Sequence, residues 1–272
     1  MRPLAELRPT EPGAWRVLAL QYASRMGLRG QHFLGHDPSS TEPHPTAYYV
    51  WVALGADDVV LVDAGISASR AAEMSGLSYR GSPVDLLGRM GIAPADVSWT
   101  VLTHLHYDHT GTLAELPATR YVVQQEEWDY WTGPWARRIR REHWLCSTAD
   151  MDHLGRARED GRVELVRGDR EVLPGLSVHL VGGHTAGMQV VRVRTRSGPA
   201  VLASDASHFY ENLDDDRPAP ILHCMTGVYG AFDRVRTLAD SPDLVVPGHD
   251  PAVLDRHPPL AREHEGEIAL IA

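Results

Sequence analysis

Thr103-His104-Leu105-His106-Tyr107-Asp108-His109-Thr110-Gly111 gathers three histidines and an aspartate directly after the apolar stretch Val97-Ser98-Trp99-Thr100-Val101-Leu102. Imidazole and carboxylate are the usual ligands of borderline cations such as zinc, and neutral histidines crowded together gain most from sharing an ion. The string therefore reads as half of a two-metal site. The competing reading, surface or satisfied core histidines, leaves the spacing without a cause.

Two ions need more ligands than one loop supplies, so further His or Asp residues are expected where apolar runs end in tight turns. The sequence supplies three such places. Leu176-Ser177-Val178-His179-Leu180-Val181 runs into Gly182-Gly183-His184, Ala200-Val201-Leu202-Ala203-Ser204 into Asp205-Ala206-Ser207-His208, and Leu244-Val245-Val246 into Pro247-Gly248-His249. Each is a short buried-type strand with a polar residue at its carboxyl end. Glycine there lets the backbone approach an ion closely.

On these motifs the chain resembles the metallo-β-lactamase superfamily and, within it, the N-acyl homoserine lactonase-like branch, from about Thr46 to about His257. The resemblance implies that His104, His106 and His184 hold a first metal, that Asp108, His109 and His249 hold a second, and that Asp205 bridges both. It also implies that Asp63, in Val59-Val60-Leu61-Val62-Asp63-Ala64-Gly65, orients the ligand loop through hydrogen bonds without binding metal. The cofactors expected are two divalent ions, zinc by default, with iron or manganese satisfying the same donors.

Departures from the family narrow the branch. Flavodiiron-type members carry an acidic residue where this chain has His106, and zinc β-lactamases often carry a cysteine where it has Asp205. The two cysteines, Cys146 and Cys224, lie outside the motifs and read as buried or partly buried thiols. Acyl-homoserine lactonases commonly show tyrosine in D-A-S-Y, whereas here the string is Asp205-Ala206-Ser207-His208. His208 is expected to take the tyrosine's place at the carbonyl or leaving oxygen, with Tyr210 as the second candidate. Asp108 is expected to carry the proton, and Tyr107 to line the pocket.

The function implied is opening of a small cyclic ester, or a related cyclic amide, by a hydroxide shared between the metals. Two other classes stay open: a thioester hydrolase of the glyoxalase II type, and a non-hydrolytic iron-dependent oxygenase or redox protein. A binding protein that sequesters a ligand would leave the proton carrier unused.

Composition supports a small-molecule substrate. Across 272 residues, 26 basic side chains face 36 acidic ones, a net charge of −10, the wrong sign for tracking phosphates and hence for nucleic acid. Every basic side chain among Lys and Arg is arginine, which excludes Schiff-base catalysis. Prolines and charges in Met1-Arg2-Pro3-Leu4-Ala5-Glu6-Leu7-Arg8-Pro9 leave no apolar core for a signal peptide, and apolar runs are too short to span a bilayer, so a cytoplasmic location is expected.

Strand and helix patterns alternate along the chain, which predicts sheets covered by helices. Strands are expected over about Ala14 to Leu20 and Thr46 to Leu54, flanking a loop, Gly27 to Pro45, that contains His32, His36 and His44. That loop either covers the substrate entrance or is solvated with incidental histidines, and none of the three reads as a ligand. Residues 124–160 read as a helical insertion carrying Trp128, Trp131, Trp135 and Trp144 beside an arginine run that suits a solvated helix face. These tryptophans suit a pocket wall, a homodimer contact, or a fastening of the insertion to the core. The expected whole is one α/β (α+β) domain over residues 1–272, a four-layer αββα metallo-β-lactamase sandwich with the metals at one edge between the sheets.

Overall fold

The structure, a computed structural model, describes residues 4–9, 11 and 13–272. Strands β1 (Arg16–Leu28), β2 (Pro43–Leu54), β3 (Val59–Val62), β4 (Leu77–Tyr79), β5 (Trp99–Val101), β6 (Arg120–Gln124) and β7 (Val163–Val166) form one sheet with the last strand, β13 (Ile268–Leu270). Its order is β13-β1-β2-β3-β5-β6-β7, with β4 added beside β1. The second sheet comprises β8 (Arg170–Leu173), β9 (Leu176–Leu180), β10 (Gln189–Thr195), β11 (Gly198–Ser204) and β12 (Val245–Pro247), in the order β12-β11-β10-β9-β8.

Alternation along the strands builds four layers. In β1, Val17 and Ala19 face the second sheet and join Trp51, Val62, Val191 and Leu202 in the core between the sheets, while Leu18 and Leu20 face outward. The outward face is covered by the helices Ala68–Glu73 and Pro83–Arg89 through Ala71, Leu86 and Leu87. On the far side of the second sheet, the helix Met225–Leu238 lays Val228, Ala231, Phe232 and Val235 on Val190, Val201 and Ala203. These four positions repeat at helical spacing, so burial of one stripe accounts for that helix. The result is the αββα sandwich expected from the sequence.

Helix starts are written locally. Ser82 accepts a hydrogen bond from the Val84 N–H while Asp85 accepts one from the Ser82 N–H, and Pro83 occupies the first turn where no N–H is needed. The insertion contains the helices Gln125–Thr132, Pro134–Arg138 and Thr148–Glu159, and its Trp128, Leu154 and Ala157 bury against Tyr121 and Val123 of β6. Arg137, Arg138, Arg140 and Arg141 are exposed, as a solvated face requires.

Two boundaries differ from the sequence reading. β1 and β2 run on as a long ribbon to Leu28 and from Pro43, so the intervening loop shortens to residues 29–42. Pro43 and Pro45 misled because proline normally ends a strand. Here β2 meets β3 only over Trp51–Leu54, and its first residues are bonded on the β1 side alone, where a missing N–H costs little. Cys224 is exposed rather than buried: its sulfur accepts from the Gly227 N–H at 3.4 Å and caps the helix Met225–Leu238. No helix of the described residues is long and apolar enough to cross a membrane.

Candidate metal centre

Four loops meet where strands of both sheets end. Residues after β5 carry His104 to His109, those after β9 carry His184, those after β11 carry Asp205, and those after β12 carry His249. Glycine makes the closest approach possible: a Cβ on Gly248 would lie 2.5 Å from the Asp205 carboxylate.

The expected ligands come together in the expected sets. Ligand atoms of His104, His106 and His184 lie within 4.8 Å of one another, as do those of Asp108, His109 and His249. Asp205 stands between the sets, one carboxylate oxygen 3.4 Å from His184 Nε2 and the other 3.1 Å from His249 Nε2 and 3.5 Å from His109 Nε2. All of these side chains are buried except the half-buried Asp108.

The second nitrogen of several rings is committed to the protein, which fixes which nitrogen is free. His109 Nδ1 meets Asp63 at 2.8 Å, His184 Nδ1 the Ile221 carbonyl at 2.9 Å and His249 Nδ1 the Ala47 carbonyl at 2.9 Å. His106 is turned the other way, its Nδ1 lying 3.1 Å from His184 Nε2. That spacing is close to the edge of a tetrahedron drawn with zinc–nitrogen bonds of about 2.1 Å. His104 Nε2, His109 Nε2, His208 Nε2 and one Asp205 oxygen are buried with no hydrogen-bond partner. Buried orphan atoms converging from several loops are what a shared cation satisfies. The donor set fits two metal ions.

Asp63 sits where the sequence placed it. Its carboxylate accepts from the Thr103 N–H and hydroxyl, each at 2.8 Å, and from Ser204 at 3.2 Å, besides meeting His109. Asp63 and Ser204 both adopt positive φ, 62° and 46°, an uncommon backbone state held by this network.

Electrostatics divide the two sets. Burial, aided by neighbouring imidazoles, holds His104 and His106 well below the ordinary histidine range, and burial takes His184 down to about 3. These rings are neutral and offer lone pairs. For His109 and His249, burial is outweighed by carboxylates: Asp63, Asp205 and Asp108 raise His109, and Asp205 and Asp108 raise His249. Asp205 is held well below the carboxylate range because His249, His208 and His109 overcome the effect of its burial.

His208 reaches the centre, its Nε2 3.1 Å from Asp205 and its ring 5.2 Å from those of both His184 and His249. Tyr210 does not. Its amide is held by Asp250 at 3.0 Å and its ring packs in the inter-sheet core beneath the Arg256 guanidinium, 3.6 Å away. The phenol that does line the pocket is Tyr48, whose ring lies 5.1 Å from His249. Strand alternation could have found it, since Tyr48 and Tyr49 must face opposite sides of β2. Tyr107 also lines this pocket, steadied by Arg70 at 5.0 Å and Trp144 at 6.2 Å.

A buried carboxylate escaped the sequence reading. Glu127 accepts hydrogen bonds from the N–H of Leu105, between His104 and His106, at 3.0 Å, from the N–H of Gly187 at 2.8 Å, and from Trp131 Nε1 at 2.8 Å. The Trp131 ring in turn sits edge-on to His106, 5.7 Å away. One side chain of the insertion thus ties two ligand loops together. The i,i+4 spacing of Glu127 and Trp131 was its only signal. Gly187 is required here, because a Cβ would lie 2.2 Å from the Glu127 amide nitrogen. The tryptophans divide their roles: Trp128 fastens the insertion, Trp131 and Trp144 line a groove of about 190 Å³ beside His106 and His184, and Trp135 is exposed.

The loop after β1 supplies part of the wall. His32 is buried against Phe209 and hydrogen-bonds Thr46 at 3.0 Å, whereas His36 is exposed, and neither joins a ligand group. Burial lowers His32 to about 3. A histidine depressed in the fold is neutral there but takes up a proton on unfolding below about pH 6.5, so its stabilising contribution is complete above that pH and is lost as pH falls toward 3. His32→Gln is therefore expected to flatten the acid side of a melting-temperature profile between pH 6.5 and 3. A variant curve parallel to wild type would contradict this.

Comparison with known proteins follows the same line. The sequence profile of the metallo-beta-lactamase superfamily matches residues 41–249. N-acyl homoserine lactonase AttM of Azorhizobium caulinodans is 30% identical over 174 residues, 60% of this chain and 61% of that protein. N-acyl homoserine lactonase AiiA of Bacillus thuringiensis subsp. kurstaki is 30% identical over 136 residues, 50% of this chain and 48% of that protein. The chain thus spans about half to three-fifths of the length of these relatives. Among solved structures, a quorum-quenching N-acyl homoserine lactone lactonase superposes with a TM-score of 0.71 at 20% identity, covering 88% of this chain and 93% of that one. AidC, a dizinc quorum-quenching lactonase in complex with a product, gives 0.70 at 14% identity over 89% of each chain. At these identities the structural likeness is one of fold.

Proposed function

This chain belongs to the metallo-beta-lactamase superfamily, and we propose that it is a dinuclear metal-dependent hydrolase that opens a small cyclic ester, a lactone. The observation that carries this reading is the pair of ligand groups joined by Asp205 beside an aromatic-walled groove. Two relatives bearing the name lactonase, matched over 60% and 50% of the chain, support it.

Two divalent cations would lower the pKa of a shared water toward neutrality and polarise the ester carbonyl. His104 and His184 would hold one through Nε2 and His106 through Nδ1; Asp108, His109 and His249 would hold the other; Asp205 would touch both. Zinc suits this nitrogen and oxygen set. Water adds to the carbonyl carbon, the ring C–O bond breaks, and a hydroxy acid leaves. Asp108 accepts the proton of the water and returns it to the ring oxygen, helped by its half-exposed position. His208 Nε2 donates a hydrogen bond to that oxygen while Asp108 supplies its proton.

Assay of metal-replete protein on a panel of lactones, a thioester and a β-lactam tests the reading: lactone turnover is expected, and turnover of the thioester alone would replace it. His208→Ala is expected to retain two metals and to lose about 100-fold in kcat. Full activity in the variant would reject the role. Loss of one metal would make His208 a ligand instead, since it also groups with His184 and Asp205.

A further inference from the structure

The pocket in front of Asp108, Asp205 and His249 is small, about 110 Å³, and Arg25 is the single arginine on its wall. A register shift places it there. β1 carries a bulge between Gln21 and Ala23, beyond which Ala23 pairs with Tyr48 and Arg25 with Thr46. Directly paired residues share a face, so Arg25 stands beside Tyr48 and Thr46 on the pocket side. Without the extra residue it would point to the opposite face of the sheet. Bulges that re-aim a side chain recur beside active sites.

The guanidinium is unspent. Its Nε is buried with no hydrogen-bond partner, and Arg25 forms no ion pair among the described residues. Asp108, on the same wall, approaches His109 and His249 instead. Arg29, by contrast, pairs with Asp37 and Glu211, and Arg217 reaches Asp37 through one of its nitrogens. A buried N–H donor without a partner costs free energy that nothing else here returns. In a centre that would also hold two cations, the missing partner is an anion.

Resting on the lactonase reading, we propose that the natural substrate is a lactone bearing a carboxylate, and that Arg25 binds this carboxylate while the ester carbonyl lies at the metal centre. The planar guanidinium fork matches a carboxylate edge, and one arginine balances one negative charge. Tyr48 and Tyr107 line the same pocket as Arg25. An N-acyl homoserine lactone is neutral, so Arg25 marks a specificity different from that in the relatives' names.

Calorimetry on the metal-loaded full chain tests this with two unreactive rings, 3-oxocyclopentanecarboxylate and cyclopentanone. Wild type is expected to bind the carboxylate at least about tenfold more tightly, Arg25→Gln to lose that preference, and Arg25→Lys to recover part of it. In kinetics, the kcat/KM preference for a carboxylated γ-butyrolactone over γ-butyrolactone itself is expected to fall by a similar factor in Arg25→Gln. Equal binding of both rings by wild type, or an unaltered preference in Arg25→Gln, overturns the proposal. If neither lactone is hydrolysed by wild type, the lactonase reading fails, while the calorimetric comparison still decides whether Arg25 selects a carboxylate.

Discussion

Asp205→Asn is expected to reduce lactone turnover by about three orders of magnitude and bound metal from two ions per chain toward one. The asparagine keeps the shape of the side chain, so the fold should survive. It removes the negative charge and turns one of two acceptor oxygens into a donor. In the native arrangement each oxygen faces imidazole nitrogens: one lies 3.4 Å from His184 and 3.1 Å from His208, the other 3.1 Å from His249 and 3.5 Å from His109. Among the described residues no other carboxylate groups with both sets, and Asp108 groups with the second alone. Elemental analysis and steady-state kinetics on the same preparation check the outcome. Two tightly held ions and near-normal turnover in Asp205→Asn would show that Asp205 does not join the two sites.

Glu127→Ala is expected to destabilise the fold by about 3 kcal/mol and to weaken metal binding about 10- to 100-fold, although Glu127 touches no ligand atom. The stability loss follows from three donors left without an acceptor: the buried N–H groups of Leu105 and Gly187 and the part-buried indole of Trp131. The metal loss follows from where two of them sit. Leu105 lies between His104 and His106, and Gly187 follows His184 by three residues, so the carboxylate fixes the spacing of the first ligand set. Glu127→Gln, which keeps one carbonyl acceptor, should recover part of both effects. Chelator competition and denaturant unfolding separate them; a variant that is less stable yet holds metal with native affinity would reduce Glu127 to a packing role.

The clustering was legible because its candidate ligands are local. His104, His106, Asp108 and His109 share one loop, and each remaining candidate ends an apolar run, so strand and turn signals pointed to residues that the fold brings together. Asp63 was legible from the resemblance alone. Long-range residues were not: Glu127 is one of several acidic residues at a helix start until the loops close around it, and Arg25 acquires its place only through the bulge in β1. β13 is likewise invisible locally, because Ile268–Leu270 becomes a strand by pairing with Leu18–Leu20 at the far end of the sequence. Tyr210 shows the converse error. Nearness in sequence to Asp205 promised proximity to the site, but the helix Tyr210–Asp214 turns its ring into the inter-sheet core.

The most direct test of a two-metal lactonase is titration of chelator-stripped protein with zinc while lactone hydrolysis is followed. Activity is expected to rise with added metal and to saturate at two equivalents per chain. Saturation at one equivalent, or no lactone hydrolysis at any metal content, would contradict the account.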